Sequence, residues 1–151
     1  MRKILIFFVL CTMFYVLSRI ATYWYADVLY AQKDYSGAIN LEPNQPLYRS
    51  ALAVANSDLS ESGKAIDLAP NNPVFKRSRF SIFIKLSRLL EAKNILLEML
   101  TTTPTDPKLY YNLGLVYARL NEIDKAVVAL QKAIELKPNY QEPKTALEYI
   151  K

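Results

Sequence analysis

The densest chemistry in the chain is cationic. Residues 76–93 carry Lys76, Arg77, Arg79, Lys85, Arg88 and Lys93 against one acid, Glu91. Ammonium and guanidinium groups at this density suit recognition of carboxylates, because both donate charge-assisted hydrogen bonds and arginine does so as a rigid fork. The same run also fits a solvated charged face. Phe80, Ile82, Phe83 and Leu86 interrupt it and must go inside a fold, which argues against a strip for anionic lipid. The remaining inventory excludes more than it offers. There is no histidine, and the one cysteine, Cys11, lies within an apolar run. The chain therefore has no internal disulfide, imidazole general base or His/Cys metal cluster. Gly37, Gly63 and Gly114 are too scattered for a phosphate-binding loop. These absences point to recognition without catalysis, with no cofactor and no metal. The net charge of +5 is too small an excess to argue nucleic acid.

The elements that would position such a surface are helices. In residues 107–140, Tyr110, Leu113, Gly114 and Tyr117 fall on one helical face, and Ala126, Leu130 and Ala133 fall on another. A tight turn near Asn121 joins the two, and Pro138 stops the second because it lacks an amide donor. Gly114, Ala126 and Ala133 allow close backbone approach. Prolines punctuate the rest of the chain: Pro43, Pro70, Pro104 and Pro138 are spaced 27, 34 and 34 residues apart. Pro46, Pro73 and Pro107 follow three residues behind the first three, in the segments PNQP, PNNP and PTDP. This is helix-stop and helix-start chemistry.

Residues 107–140 resemble the tetratricopeptide repeat, whose 34-residue pattern is W-x2-L-G-x2-Y, then A-x3-F, then A and P. Leu113, Gly114, Tyr117, Ala126, Ala133 and Pro138 match as they stand, with Tyr110 and Leu130 in the aromatic places. The resemblance implies an all-α fold, a tetratricopeptide-like α-solenoid of helix-turn-helix repeats. Residues 73–106 form a second full-length unit: Ala92, Leu96 and Pro104 are in register, while Met99 and Phe80 replace small residues. Residues 19–45 and 46–72 form shortened units. Their missing seven residues are expected in the second helix of each, leaving short helices over 35–41 and 60–68. On that alignment Ala26 and Ala53 replace the glycine, and Asn56 falls where Tyr117 falls. Residues 141–151 are expected to be a capping helix, because a terminal repeat has an uncovered apolar face. Tyr48, Tyr110, Tyr111 and Tyr117, at helical spacing, read as core more readily than as a stacking row.

Residues 4–17 are apolar after Arg2 and Lys3, which fits either a cleaved signal peptide or an uncleaved signal-anchor. The cleavage site is poor, since only Val16 and Ser18 offer small residues and Arg19 follows. One transmembrane helix over residues 1–25, preceding a solenoid over 26–151, is the preferred reading. Residues 4–25 would contact the lipid bilayer, with Tyr23, Trp24 and Tyr25 as an interfacial belt. No Gly or Pro occurs before Asp34, so one unbroken helix is expected to run from the membrane into the first repeat. Arg2 and Lys3 place the N-terminus in the cytoplasm and the repeats outside, with Arg19 opposing that orientation. Secretion after signal cleavage is the alternative.

The resemblance also implies a binding surface on the concave face, lined by the first helix of each repeat. In the full-length units it falls on Val74, Arg77, Ser78, Ile82 and Lys85, and on Lys108, Tyr111, Asn112, Leu115 and Arg119. The partner would be a protein or peptide, acidic in character; self-association through uncovered faces is a further possibility. The family's carboxylate clamp is not carried over, because Ser78 and Ala51 stand where Asn112 has counterparts. The implied function is a membrane-anchored scaffold without catalysis of its own. A second resemblance, in YWYADVLYA and PNQPLYRSALA, is to the C-terminal region of O-antigen ligase or polymerase-like membrane proteins. It would make the chain an accessory segment of a glycan-transferring system.

Overall fold

A computed structural model describes the backbone of residues 2–150 and the side chains of residues 7–150. Among these residues the chain forms nine helices and no strand: α1 (Arg2–Ala31), α2 (Tyr35–Leu41), α3 (Pro46–Asn56), α4 (Leu59–Leu68), α5 (Pro73–Lys85), α6 (Leu89–Thr102), α7 (Pro107–Arg119), α8 (Ile123–Leu136) and α9 (Gln141–Ile150). The fold is an all-α, tetratricopeptide-like solenoid with a long apolar helix at its N-terminal end. Helices pair in succession, α1 with α2, α3 with α4, α5 with α6 and α7 with α8, and α9 packs on α7 and α8. The chain divides into two compact units, Met1–Pro70 and Asn71–Lys151.

Each helix pair turns through a residue in the left-handed region: Lys33 (φ 65°), Ser57 (φ 57°), Ser87 (φ 57°) and Asn121 (φ 62°). The next amide then reaches back five residues to a helix carbonyl. Asp34 bonds to Leu29, Asp58 to Ala53, Arg88 to Phe83 and Glu122 to Tyr117, at 2.8–2.9 Å. This bond closes a helix C-terminus and satisfies a carbonyl left over by the helix.

The turns relocate one of the deletions. Ser87 lies fourteen residues after Pro73, and Asn121 fourteen after Pro107, but Ser57 only eleven after Pro46. From turn to next proline the counts are 17 after Ser87 and Asn121, 13 after Ser57 and 10 after Lys33. The first repeat thus loses all seven residues from its second helix, as expected. The second repeat loses three from its first helix and four from its second, contrary to expectation. Either cut is about one helical turn, so the buried face keeps its phase. Counted back from the turn, Ser50 and Ala53 take the places of Gly114 and Tyr117. Asn56 is simply the exposed last residue of α3.

In the first unit α1 runs without a break, and Phe7–Ala31 is long and apolar enough to cross a membrane. Its side chains are exposed from Phe7 to Tyr25 except at Arg19 and Thr22, and Ala26 is buried. Ala26 and Ala38 are both fully buried and let α1 and α2 approach closely, with Tyr48 from α3 filling the space beside them. Tyr48 Oη donates to Asp27 Oδ1 at 2.6 Å, and its ring packs 5.4 Å from that of Tyr30. Asp34 and Asp58 cap α2 and α4 by accepting first-turn amides.

In the second unit, Asn72 and Asp106 cap helices that carry proline at the first position, where no amide donor is needed. The core is Phe75, Ile82 and Phe83 of α5, Ala92, Ile95, Leu96 and Met99 of α6, Leu109, Leu113 and Val116 of α7, and Ala126, Ala129, Leu130 and Ala133 of α8. At Gly114 α7 meets α8 tightly: a Cβ built there would lie 2.7 Å from Leu130 Cγ.

Candidate partner-binding groove

The second unit places three helices, α5, α7 and α9, around one open groove of about 720 Å3. Phe80 and Ile84 of α5, Leu115 and Val116 of α7, and Ala146 and Ile150 of α9 supply its apolar lining. Polar groups are few: Tyr111, Asn112 and Arg119 from α7, and Gln141, Glu142 and Thr145 from α9. Tyr111 is held by an aromatic contact with Tyr140, ring centres 5.4 Å apart. Burial pushes the Tyr140 phenol above its ordinary range. Tyr149, 87% exposed, stands at the rim.

Three of the seven residues singled out from sequence are brought together here: Tyr111, Asn112 and Arg119. Four are not. Arg77 is engaged by Asp106 at 3.3 Å, Ser78 is half-buried, and Lys85 and Lys108 are exposed outside the groove. Ile82, read as a concave-face residue, is instead in the core with 1% exposure, and Ser81, one position earlier, is exposed. The physical reason is helical phase: Ile82 lies seven residues after Phe75, so the two share the buried stripe. Tyr48 is core, whereas Tyr110, Tyr111 and Tyr117 are half-buried.

The cationic run is largely neutralised within the fold. Lys76 pairs with Glu98 at 2.8 Å, Arg77 with Asp106, Arg88 with Glu91, and Lys93 with Glu122 at 3.2 Å. Arg79 stacks on Phe83, 5.5 Å from the ring centre. Lys125 and then Lys93 hold the Glu122 carboxyl below its usual range. Arg119 forms no ion pair among the described residues and faces the groove, so it is the cation best placed to receive an external carboxylate.

Residues of α9 were read as a cap, yet they form the third wall. A signal was present: Gln141 follows Pro138 by three residues, as Pro107 follows Pro104. Residue 141 is therefore where the first helix of another repeat would start. Thr145, Ala146, Tyr149 and Ile150 then fall on one helical face. A second hollow, about 860 Å3, lies along α7 and α8 between Tyr110, Tyr117 and Val128. Its edges carry Asp124, Lys125, Lys132 and Glu135, with Lys132 and Glu135 already paired at 2.8 Å. No cluster of three or more His, Cys, Asp or Glu side chains suited to a metal occurs among the described residues.

Residues 107–140 match the tetratricopeptide repeat. No curated protein matches the chain by sequence. Solved structures do match in shape. MamA from Desulfovibrio magneticus RS-1, from residue 41 to its end, has a TM-score of 0.70 at 20% identity, covering 87% of this chain and 82% of that one. The first repeat domain of Spaghetti (RPAP3), bound to the HSP90 peptide SRMEEVD, has a TM-score of 0.55 at 20% identity, covering 87% of this chain and 89% of that one. The OM64 repeat domain from Arabidopsis has a TM-score of 0.55 at 17% identity, covering 87% and 93%. At these identities the likeness is one of fold.

Proposed function

We propose that the chain is a membrane-anchored scaffold that holds a partner protein or peptide in the groove between α5, α7 and α9, with no catalysis of its own. α1 anchors it, Arg2 and Lys3 lie on the cytoplasmic side, and the repeats work on the far side of the membrane. The observation that carries the reading is the groove itself. It is open and apolar-lined, with Tyr111, Asn112 and Arg119 on one wall, and Arg119 forms no ion pair among the described residues. A segment presenting apolar side chains to Phe80, Ile84 and Leu115, and a carboxylate to Arg119 and Asn112, is the chemistry it fits. The solved structure of Spaghetti (RPAP3) bound to an HSP90 peptide lends support, because a related fold holds a peptide that carries acidic residues.

The test is a binding screen of a peptide library against the full chain in mild detergent, repeated with Arg119→Glu and with Arg77→Glu. Binding of acidic-apolar peptides should fall at least tenfold with Arg119→Glu and little with Arg77→Glu, because Arg77 is already paired with Asp106. Equal loss in both, or in neither, would move the site off the groove. Oligomers that persist at low concentration would favour a second copy as the occupant.

A further inference from the structure

We propose that the membrane-side end of the first two repeats sits in the lipid headgroup layer, so that this first unit stands directly on the bilayer. The inference rests on the reading of α1 as a membrane span. The uninterrupted apolar run, residues 4–17, has 14 residues. That is about 21 Å of helix against a hydrocarbon core of about 30 Å. The deficit of about 9 Å needs about six further residues at 1.5 Å each, which carries the core to the level of Tyr23.

Those further residues already belong to the first repeat. Arg19 donates to Tyr23 Oη at 2.9 Å, and its guanidinium lies 4.8 Å from the centre of that ring. The same guanidinium lies 3.3 Å from Glu42 Oε1, a buried oxygen with no hydrogen-bond donor among the described residues. Glu42 is the residue that ends α2. The turn of α1 that the bilayer must cover is therefore tied by charge to the α2–α3 connection. The Arg19 side chain is 41% exposed and has its counter-charge, Glu42, at the level of that connection.

Two more contacts fix which end of the unit faces the lipid. The bond from Tyr48 to Asp27 places the first turn of α3, which starts at Pro46, beside the turn of α1 that follows Tyr23. α4 returns to the same end, where Leu68 shares a hollow with Pro43, Asn44 and Arg49. This end exposes Leu47 and Leu68, and α1 exposes Tyr23, Trp24 and Tyr25, with Trp24 68% exposed. Aromatic rings with a polar edge prefer the headgroup level. That layer is about 5–7 Å thick on each side of the core, enough to take the connection from Glu42 to Pro46.

Trp24 is the only tryptophan, so the full chain reports its own depth once reconstituted in phosphatidylcholine vesicles. Bromine placed near the lipid carbonyls should quench Trp24 several-fold more than bromine near the chain ends, and aqueous iodide should quench it weakly. In a Cys11→Ser background, a spin label on Asn44→Cys should be several-fold less accessible to an aqueous nickel reagent than one on Lys33→Cys, at the opposite end of the repeat. Equal accessibility of the two labels, or a Trp24 open to iodide, in a chain that resists carbonate extraction would overturn the proposal and leave the anchor standing. Release of the chain by carbonate would overturn the anchor and the proposal together.

Discussion

Gly114 and Leu130 set how closely α7 and α8 approach, and the consequence can be worked out. A Cβ at 114 would lie 2.7 Å from Leu130 Cγ, 2.8 Å from Leu130 Cδ2 and 3.3 Å from the Ala126 carbonyl oxygen. Carbon pairs settle at about 3.5–4.0 Å, so the methyl would overlap Leu130 by roughly 1 Å. Leu130 is fully buried and Ala126 presents backbone, so neither gives way freely. Overpacking of this kind costs ~1–3 kcal/mol. Helix propensity acts in the opposite sense, favouring alanine over glycine by ~1 kcal/mol in a helix interior. The two nearly cancel at the lower limit, and Gly114→Ala should destabilise by ~0–2 kcal/mol. Gly114→Leu adds bulk with no further gain in propensity and should cost more. Leu130→Ala alone opens a cavity, at ~2–5 kcal/mol. In that background the overlap with Leu130 is gone and only the 3.3 Å approach to the Ala126 carbonyl oxygen is left, so Gly114→Ala should become stabilising by up to ~1 kcal/mol. The coupling in the cycle should thus be ~1–3 kcal/mol. Urea titrations of the four full-length proteins in mild detergent, followed by far-ultraviolet circular dichroism, measure it as midpoint shifts at common slope. The same stabilising shift from Gly114→Ala in both backgrounds would refute the close-packing account.

Other consequences are simpler to test. Ser62 is buried in α4 and its Oγ has no hydrogen-bond partner among the described residues; Ser62→Ala should stabilise by ~1 kcal/mol in urea titration, from a relieved desolvation cost and better helix propensity, and a loss of stability would show that the hydroxyl is satisfied. Burial and the hydrogen bond to Asp27 push Tyr48 up to about 12, against about 10 in an unfolded chain. Because the folded value is the higher one, its contribution is complete below pH about 10 and is lost as pH rises toward about 12. Tyr48→Phe should flatten the alkaline fall in stability, and an unchanged alkaline limb would count against the buried phenol. Glu122 has a lowered pKa, so its contribution is present above the ordinary carboxylate range and is lost as pH falls through the lowered value. Glu122→Gln should make the acid limb of the stability curve shallower, and an unaltered limb would mean that its pairs with Lys125 and Lys93 contribute nothing to folding.

Much of the fold was legible because tetratricopeptide helices announce themselves by spacing. In α7 and α8, small residues at Gly114, Ala126 and Ala133 can only mean close helix contact. The short α2 over 35–41 and the unbroken α1 were equally readable, from the missing residues before Pro43 and the lack of any breaker before Asp34. The turns were not. Lys33, Ser57 and Ser87 adopt left-handed backbone with no glycine or asparagine to signal it, because closing the helix pair outweighs the local cost. Without the turns, the deletion in the second repeat was assigned to one helix when it is shared by two. The groove was legible only in part. Tyr111, Asn112 and Arg119 line one hollow, but the charges of Lys76, Arg77 and Lys93 meet Glu98, Asp106 and Glu122, which are 22 to 29 residues further on. Composition counts cations without showing which have partners, and pairings that distant depend on how successive helices stack.

The central claim, that the α5–α7–α9 groove holds a partner, is tested most directly by photo-crosslinking in intact membranes. A photoreactive residue replaces Leu115 inside the groove, or Val128 on the exposed side of α8. The account predicts one discrete adduct from position 115, lost when Arg119→Glu is added, and none from position 128. An adduct from position 128 alone, or one from position 115 that is indifferent to Arg119→Glu, would contradict it.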